Sequence, residues 1–263
     1  MQGATEFLPI SSSGHLVLVP WLLGWKLDPS AAFIFDVLVQ WGTLLAVIIY
    51  FFKDLVSIAA AVIRGIFEGK PFSDPMARLG WLLLAASLPA ALLGVLAKST
   101  VEAAFANPQL VSLFLLATAA ILAISERIGD QLRSMDEINL PDALIIGLAQ
   151  SLALFPGISR SGATIAGGLI RDLKRPDAAR FSFLMSVPIM IGAGGIALLD
   201  LSGAPGAIAQ LPALLIGFVT AAIVGYLAIR WLLAYLAEHR LNIFIYYCTL
   251  VGLGGLLLSV IQR

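Results

Sequence analysis

Charge is what this chain has least of. Only 12% of its 263 residues are Asp, Glu, Lys or Arg, and 60% are hydrophobic, where a soluble domain averages roughly 45–50% apolar and about 25% charged. The sixteen basic and sixteen acidic residues cancel, so there is no basic field to hold nucleic acid. One cysteine, Cys248, lies in an apolar run; it cannot form an internal disulfide and reads as a packing residue. Two histidines, His15 and His239, make no His-x-x-x-His metal pair. No Walker A run and no Gly-x-Ser-x-Gly elbow occur, which removes the common nucleotide-binding and hydrolase signatures. The opening residues lack a basic n-region and an unbroken apolar h-region, so no cleavable signal peptide is expected.

What fills the chain instead is apolar sequence, with a mean hydropathy of +0.97. Water does not tolerate such a surface, and an all-α integral membrane protein is expected, one domain over 1–263. Spans of about 20 apolar residues cross a bilayer as helices. Six are read, at roughly 31–52, 79–97, 109–125, 181–201, 211–236 and 243–261, the third being short. Two further apolar stretches, 1–25 and 142–170, are broken near the middle by Pro, Gly and Ser. A break exposes backbone groups that lipid cannot satisfy, so both are expected to be re-entrant helix hairpins buried in protein or facing a polar cavity.

The two broken stretches match. At a constant offset of 148, Gln2, Phe7, Ile10, Ser11, Ser13 and Gly14 recur as Gln150, Phe155, Ile158, Ser159, Ser161 and Gly162. The expected organisation is one repeat over approximately 1–125 and a second over approximately 142–263. Basic residues gather at 53–78 (Lys53, Arg64, Lys70, Arg78), 126–142 (Arg127, Arg133) and 171–180 (Arg171, Lys174, Arg175, Arg180). The loop 98–108 carries only Lys98, and 202–210 carries none. By the excess of Lys and Arg on the cytoplasmic side, the first hairpin enters from outside and the second from inside. That is an inverted-topology repeat.

Ionisable groups at membrane depth are costly and mark function. Glu6, His15 and Arg160 sit on or beside the two breaks; Asp36, Asp200 and Arg230, near span ends, read as anchors. The bland reading of the first set is a buried ion pair between Glu6 and Arg160. Gly and Ser at a helix break expose N–H groups that favour anions. Arg160 adds a planar fork suited to phosphate oxygens, and Ser11, Ser12, Ser13, Ser159, Ser161 and Thr164 add hydroxyls. A carboxylate beside such a site either holds a divalent cation or accepts a proton, and a histidine beside serines acts as nucleophile, base or acid.

With these residues in view the sequence resembles the undecaprenyl-diphosphate phosphatase family, the bacitracin-resistance proteins. The family's (Glu/Gln)-x-x-x-Glu motif and following loop read here Gln2-Gly3-Ala4-Thr5-Glu6, then Phe7-Leu8-Pro9-Ile10-Ser11-Ser12-Ser13-Gly14-His15. Its second motif reads Pro156-Gly157-Ile158-Ser159-Arg160-Ser161-Gly162-Ala163-Thr164. The resemblance runs over essentially the whole chain, including 35–43 and 180–188. It implies a multi-pass enzyme of the bacterial cytoplasmic membrane, its site facing the periplasmic side. Such an enzyme dephosphorylates undecaprenyl diphosphate to the monophosphate in the cell-wall lipid carrier cycle and opposes bacitracin. It also implies a divalent cation, Mg2+ or Ca2+, at Glu6 and Gln2. Many relatives carry Glu where this chain has Gln2, which shifts metal or base work to Glu6. Relatives carry a longer apolar stretch before the motif, so the first arm of the first hairpin is expected to be nearly absent.

The expected division of labour puts Glu6, Ser12, His15 and Arg160 in catalysis. Arg160, Ser11, Ser13, Ser159, Ser161 and Thr164 bind phosphate, and Ser12 is the expected nucleophile with His15 as its base, phosphohistidine at His15 or direct attack by water being the alternatives. The partners are a polyprenyl diphosphate and membrane lipid, with no nucleic acid; a homodimer is allowed. The rival is a polyprenyl-phosphate transporter or flippase using the same anion site. A PAP2-type phosphatase shares Ser13-Gly14-His15 but needs a Lys-x6-Arg-Pro run that the chain lacks.

Overall fold

The computed structural model describes residues 1–26, 28–201 and 211–261. The expected uncharged loop at 202–210 lies outside them, as does the side chain of Asp200. Among the described residues the regular structure is helical, apart from one isolated bridge between Arg133 and Leu173. Six helices are long and apolar enough to cross a membrane: α3 (Pro29–Tyr50), α5 (Pro75–Leu96), α7 (Pro108–Ile128), α10 (Arg175–Leu201), α11 (Leu211–Glu238) and α12 (Asn242–Ile261). The chain is a multi-pass membrane protein, as its composition requires.

Three of these spans start alike. Asp28, Asp74 and Asn107 cap α3, α5 and α7 with their side chains, and Pro29, Pro75 and Pro108 follow at the first helical position. The cap satisfies free N–H groups, and proline there loses no bond the helix needed. The third span is longer than the sequence suggested. It continues through Ser125-Glu126-Arg127, because Arg175 pairs with Glu126 at 2.6 Å and the Leu241 N–H donates to it at 2.8 Å. Two stretches expected as loops are also partly helical. Between α3 and α5 runs α4 (Phe52–Phe67), and between α5 and α7 runs α6 (Lys98–Phe105). Ile58, Ala61 and Gly65 of α4 are buried while Phe52, Val56, Ile63 and Phe67 are exposed.

The two broken stretches form pairs of short helices, α1 (Gln2–Phe7) with α2 (Ser12–Leu22), and α8 (Leu140–Leu152) with α9 (Arg160–Ile170). At 1.5 Å per residue none reaches across a hydrocarbon core of about 30 Å. Their packing is reciprocal: α1 lies on α11, and α8 lies on α5. Each crossing is closed by a glycine. A Cβ on Gly3 would come within 2.6 Å of the Ala221 carbonyl oxygen, and one on Gly147 would run into the Ala86 carbonyl. Phe7, fully buried, meets Phe183 edge to face at 5.4 Å and ties the first pair to α10.

A polar staple holds the ends of α8 and α9 together. Asp142, with no exposed surface, accepts from Arg133 and from Arg171, both at 2.7 Å. Arg133 also donates to the Arg171 and Glu137 carbonyls. Burial alone would raise the Asp142 carboxyl; the bonds from Arg133 and Arg171 outweigh it and hold the group below its ordinary value. A lowered carboxylate stabilises the fold above its unfolded value and loses that contribution as pH falls through the folded one. Asp142→Ala is therefore expected to cost about 3 kcal/mol, since it strands two guanidinium groups. Measured by thermal unfolding in detergent, the native chain should lose stability below about pH 4; Asp142→Asn should lose much less on acidification.

Candidate active site

The two broken turns are built the same way and touch each other. Ser11 caps α2 by accepting from the Gly14 N–H at 3.1 Å, and Ser159 caps α9 by accepting from Gly162 at 3.1 Å. In each turn the capping hydroxyl also bonds the serine two residues on, Ser11 with Ser13 at 3.3 Å and Ser159 with Ser161 at 3.2 Å. Between turns, Ser161 donates to the Leu8 carbonyl at 3.1 Å. Glycine allows the approach: a Cβ on Gly14 would stand 3.3 Å from the Gly157 Cα, and one on Gly162 would stand 3.4 Å from the Pro9 Cβ. Thr118 of α7 pins the second turn, donating to the Gly157 carbonyl at 2.9 Å and accepting from the Ser159 N–H at 3.0 Å.

Across this junction Arg160 Nη2 pairs with Glu6 Oε1 at 3.0 Å. The other carboxylate oxygen, Glu6 Oε2, accepts from Ser12 Oγ at 2.6 Å and from Gln2 Nε2 at 2.9 Å. Four side chains thus form one hydrogen-bonded unit, in which Arg160 reaches Glu6 across 154 positions. It borders a cavity of about 250 Å³ lined by Glu6, Ser11, Ser12, Ser13, Gln40 and Arg160, with Ile158 and Met190 among its apolar walls. Arg160 spends one nitrogen on Glu6; its Nε and Nη1 are buried with no partner. Buried guanidinium donors left open are costly, and an anion in the cavity would satisfy them in the forked geometry that suits phosphate.

The expected phosphate-binding hydroxyls divide into two groups. Ser11 and Ser13 line the cavity with Ser12, whereas Ser159, Ser161 and Thr164 do not. Thr164 is turned into the core, donating to the Arg160 carbonyl at 2.8 Å and bonding Ser182 at 2.6 Å. These three hydroxyls hold the second turn in shape. His15 also stands apart from the expectation that it serves Ser12. Its ring bonds the Ser11 carbonyl through Nδ1 at 2.7 Å and the Tyr247 hydroxyl through Nε2 at 2.6 Å; the Ser12 hydroxyl is on Glu6. Arg230 is exposed, and Asp36 is partly buried in α3.

A divalent cation is tested by the donors present. Among the described residues no three His, Cys, Asp or Glu cluster to cage a metal. Gln2 Oε1, however, is a buried acceptor without a partner on the side chain that bonds Glu6. One carboxylate and one amide oxygen fit a hard ion that takes most of its ligands from substrate phosphates and water. Sequence reasoning missed Gln40, Thr118 and Tyr247. The available signal was a polar group inside an otherwise apolar span, which for Gln40 and Tyr247 is visible in the sequence but does not say which face of the helix it is on.

The family model described as bacitracin resistance protein BacA matches residues 1–254. The chain is similar to proteins named undecaprenyl-diphosphatase. One from Chlorobium phaeovibrioides is 45% identical, covering 98% of this chain and 93% of the relative. One from Chlorobaculum tepidum is 44% identical over 97% and 92%, and one from Methanosphaera stadtmanae is 42% identical over 99% and 95%.

Gly157 has φ +103°, and a Cβ there would run into the Val111 carbonyl oxygen and lie 2.8 Å from the Phe114 Cβ. Gly157→Ala is expected to cost roughly 2–3 kcal/mol through backbone strain and overpacking, read as a lower thermal midpoint in detergent. An unchanged midpoint would mean that the second turn does not depend on this close approach.

Proposed function

This chain belongs to the bacitracin resistance protein BacA family, and we propose that it is the membrane phosphatase that converts undecaprenyl diphosphate to undecaprenyl phosphate, returning the lipid carrier to cell-wall synthesis and opposing bacitracin. One observation carries the site assignment: Ser12, Glu6 and Arg160 are joined by hydrogen bonds at a cavity that all three line, and the Arg160 guanidinium keeps two buried donors without a partner. The cavity lies between the two helix breaks, whose short arms fit a pair of re-entrant hairpins in opposed repeats. The distribution of basic loops orients the spans, and the family resemblance favours a cytoplasmic-membrane location with the site served from the outer side.

In the mechanism that this geometry supports, Arg160 Nε and Nη1 hold oxygens of the diphosphate. Ser12 Oγ attacks the terminal phosphorus while its proton passes to Glu6 Oε2, the acceptor it already contacts. The bond from that phosphorus to the bridging oxygen breaks, and undecaprenyl phosphate leaves with the electron pair. Water then attacks the phosphoserine. The Ser12 oxygen departs and recovers the proton held by Glu6, and inorganic phosphate carries away the protons of water. Fixed donors aimed at developing charge in a water-poor site are commonly the largest catalytic contribution. Glu6 and Gln2 Oε1 would hold magnesium or calcium beside the diphosphate, and the ion when bound supplies neutralising charge. A transporter would use Arg160 on a phosphate head group, but a serine hydroxyl bonded to a carboxylate serves chemistry rather than passage.

The test is phosphate release from a polyprenyl diphosphate by the purified protein in detergent, with and without chelator. Release that stops on chelation and returns with Mg2+ or Ca2+ is expected. Arg160→Lys keeps the charge but loses the fork, and should lower kcat about 100- to 1,000-fold. Labelled substrate should leave an acid-stable adduct that Ser12→Ala abolishes. Near-normal turnover by monodisperse Arg160→Ala would sink the phosphate-clamp reading, and an acid-labile adduct would move the nucleophile to His15.

A further inference from the structure

The two matched turns differ in backbone at the cap. Ser11 has φ 67° and ψ 100°, a left-handed conformation that a residue with a Cβ rarely adopts, while Ser159 at the same place in the second turn has φ −70° and ψ 122°, ordinary extended backbone. Both serines make the same cap with the same 3.1 Å bond, so capping does not call for the strained form. Such strain persists only where surrounding structure over-determines it.

Among the residues that differ between the two turns, one bonds the cap itself and lies four places on. Offset 148 pairs His15 with Ala163; the strained turn has an imidazole where the relaxed turn has a methyl group. The Ser11 carbonyl can only accept, so His15 Nδ1 carries the proton and donates to it at 2.7 Å. In the neutral ring that leaves the Nε2 lone pair for the Tyr247 hydroxyl at 2.6 Å. Tyr247 belongs to α12, and its ring lies nearly parallel to the imidazole. A chain of two bonds therefore runs from a membrane-length helix to the peptide plane between Ser11 and Ser12, the plane that ψ of Ser11 orients. The need for such a device follows from side-chain length. Arg160, next after the relaxed cap, is long enough to reach Glu6 unaided. Ser12, next after the strained cap, is short, and only the backbone can bring its hydroxyl to 2.6 Å from Glu6.

We infer that His15, seated on Tyr247, is a positioning residue: it holds the Ser11–Ser12 peptide in the left-handed turn that aims the Ser12 hydroxyl at Glu6, and it does not take the Ser12 proton. Tyr247 fixes the tautomer and the angle of the ring. This rests on the reading of Ser12 as the nucleophile. A proton acceptor for Ser12 would have to contact its hydroxyl, and that contact belongs to Glu6.

The experiment measures kcat and KM for phosphate release in four variants, each checked for a monodisperse size-exclusion peak. His15→Leu should lower kcat about 100-fold, the scale of a misplaced reacting group, with KM little changed. Tyr247→Phe removes one oxygen and should lower kcat roughly tenfold, the loss of one oriented hydrogen bond. His15→Asn keeps an N–H where Nδ1 was and should recover to within about tenfold of the native chain. His15→Asn as inactive as His15→Leu would show the ring doing proton chemistry and overturn the inference. Native turnover by Tyr247→Phe would overturn it too, including where His15→Leu fails to fold. Ser12→Ala should be inactive; if it turns over normally, the nucleophile assignment has failed, a result that the His15 and Tyr247 variants do not produce.

Discussion

The ion pair between Glu6 and Arg160 is the contact on which the rest of the molecule depends. It joins side chains 154 positions apart, and both are largely buried. Breaking one partner of a buried pair costs roughly 3–5 kcal/mol, because the other charge is left without water or a counter-charge. The two turns that carry these groups must therefore approach closely, and the surrounding residues are chosen for that approach. Gly14 and Gly162 keep Cβ atoms out of the junction, Ser161 bonds across it, and Gly3 and Gly147 let each pair of short helices sink onto a long helix. The pair also leaves work undone. Arg160 uses one of its nitrogens, and two buried donors remain for an anion.

The same pair accounts for the division of labour around it. With Oε1 paired to Arg160, Glu6 keeps Oε2 for Ser12 and Gln2. A carboxylate that holds a serine hydroxyl at 2.6 Å is placed to receive its proton, which leaves the histidine free for another task. The hydroxyls of the second turn are likewise internal: Ser159, Ser161 and Thr164 satisfy the turn and the core. The second turn holds the Arg160 guanidinium still, and the first presents the Ser12 hydroxyl to the same carboxylate.

Much of this was legible in the sequence, and the parts that were not share a physical cause. Hydropathy is a property of residues regardless of neighbours, so the six spans could be read from composition alone. The third span was read short because Glu126 and Arg127 looked like a loop; only the partner Arg175, from another helix, makes Glu126 tolerable at a helix end. The helix α4 was missed because its charges were counted as loop charges, although its apolar residues share the segment. The identities between the two breaks located Glu6, His15 and Arg160 together. They could not say that Thr164 turns into the core or that Gln40 faces the cavity, since a helical residue's direction depends on what its helix packs against.

By itself, then, the sequence determined that the chain lives in lipid, that it is helical with two broken segments, and that a carboxylate, a histidine and an arginine stand at the breaks. Those conclusions rest on local quantities: transfer free energy, the cost of an unpaired peptide group, and the rarity of charge in apolar surroundings. Tertiary structure alone decided which groups touch. Glu6 and His15 are both near Ser12 in sequence, and only the fold of the turn gives the hydroxyl to Glu6 and the ring to the Ser11 carbonyl and Tyr247. A hydrogen bond is settled by tenths of an ångström, and across a helix break that distance is set by the packing of the whole bundle.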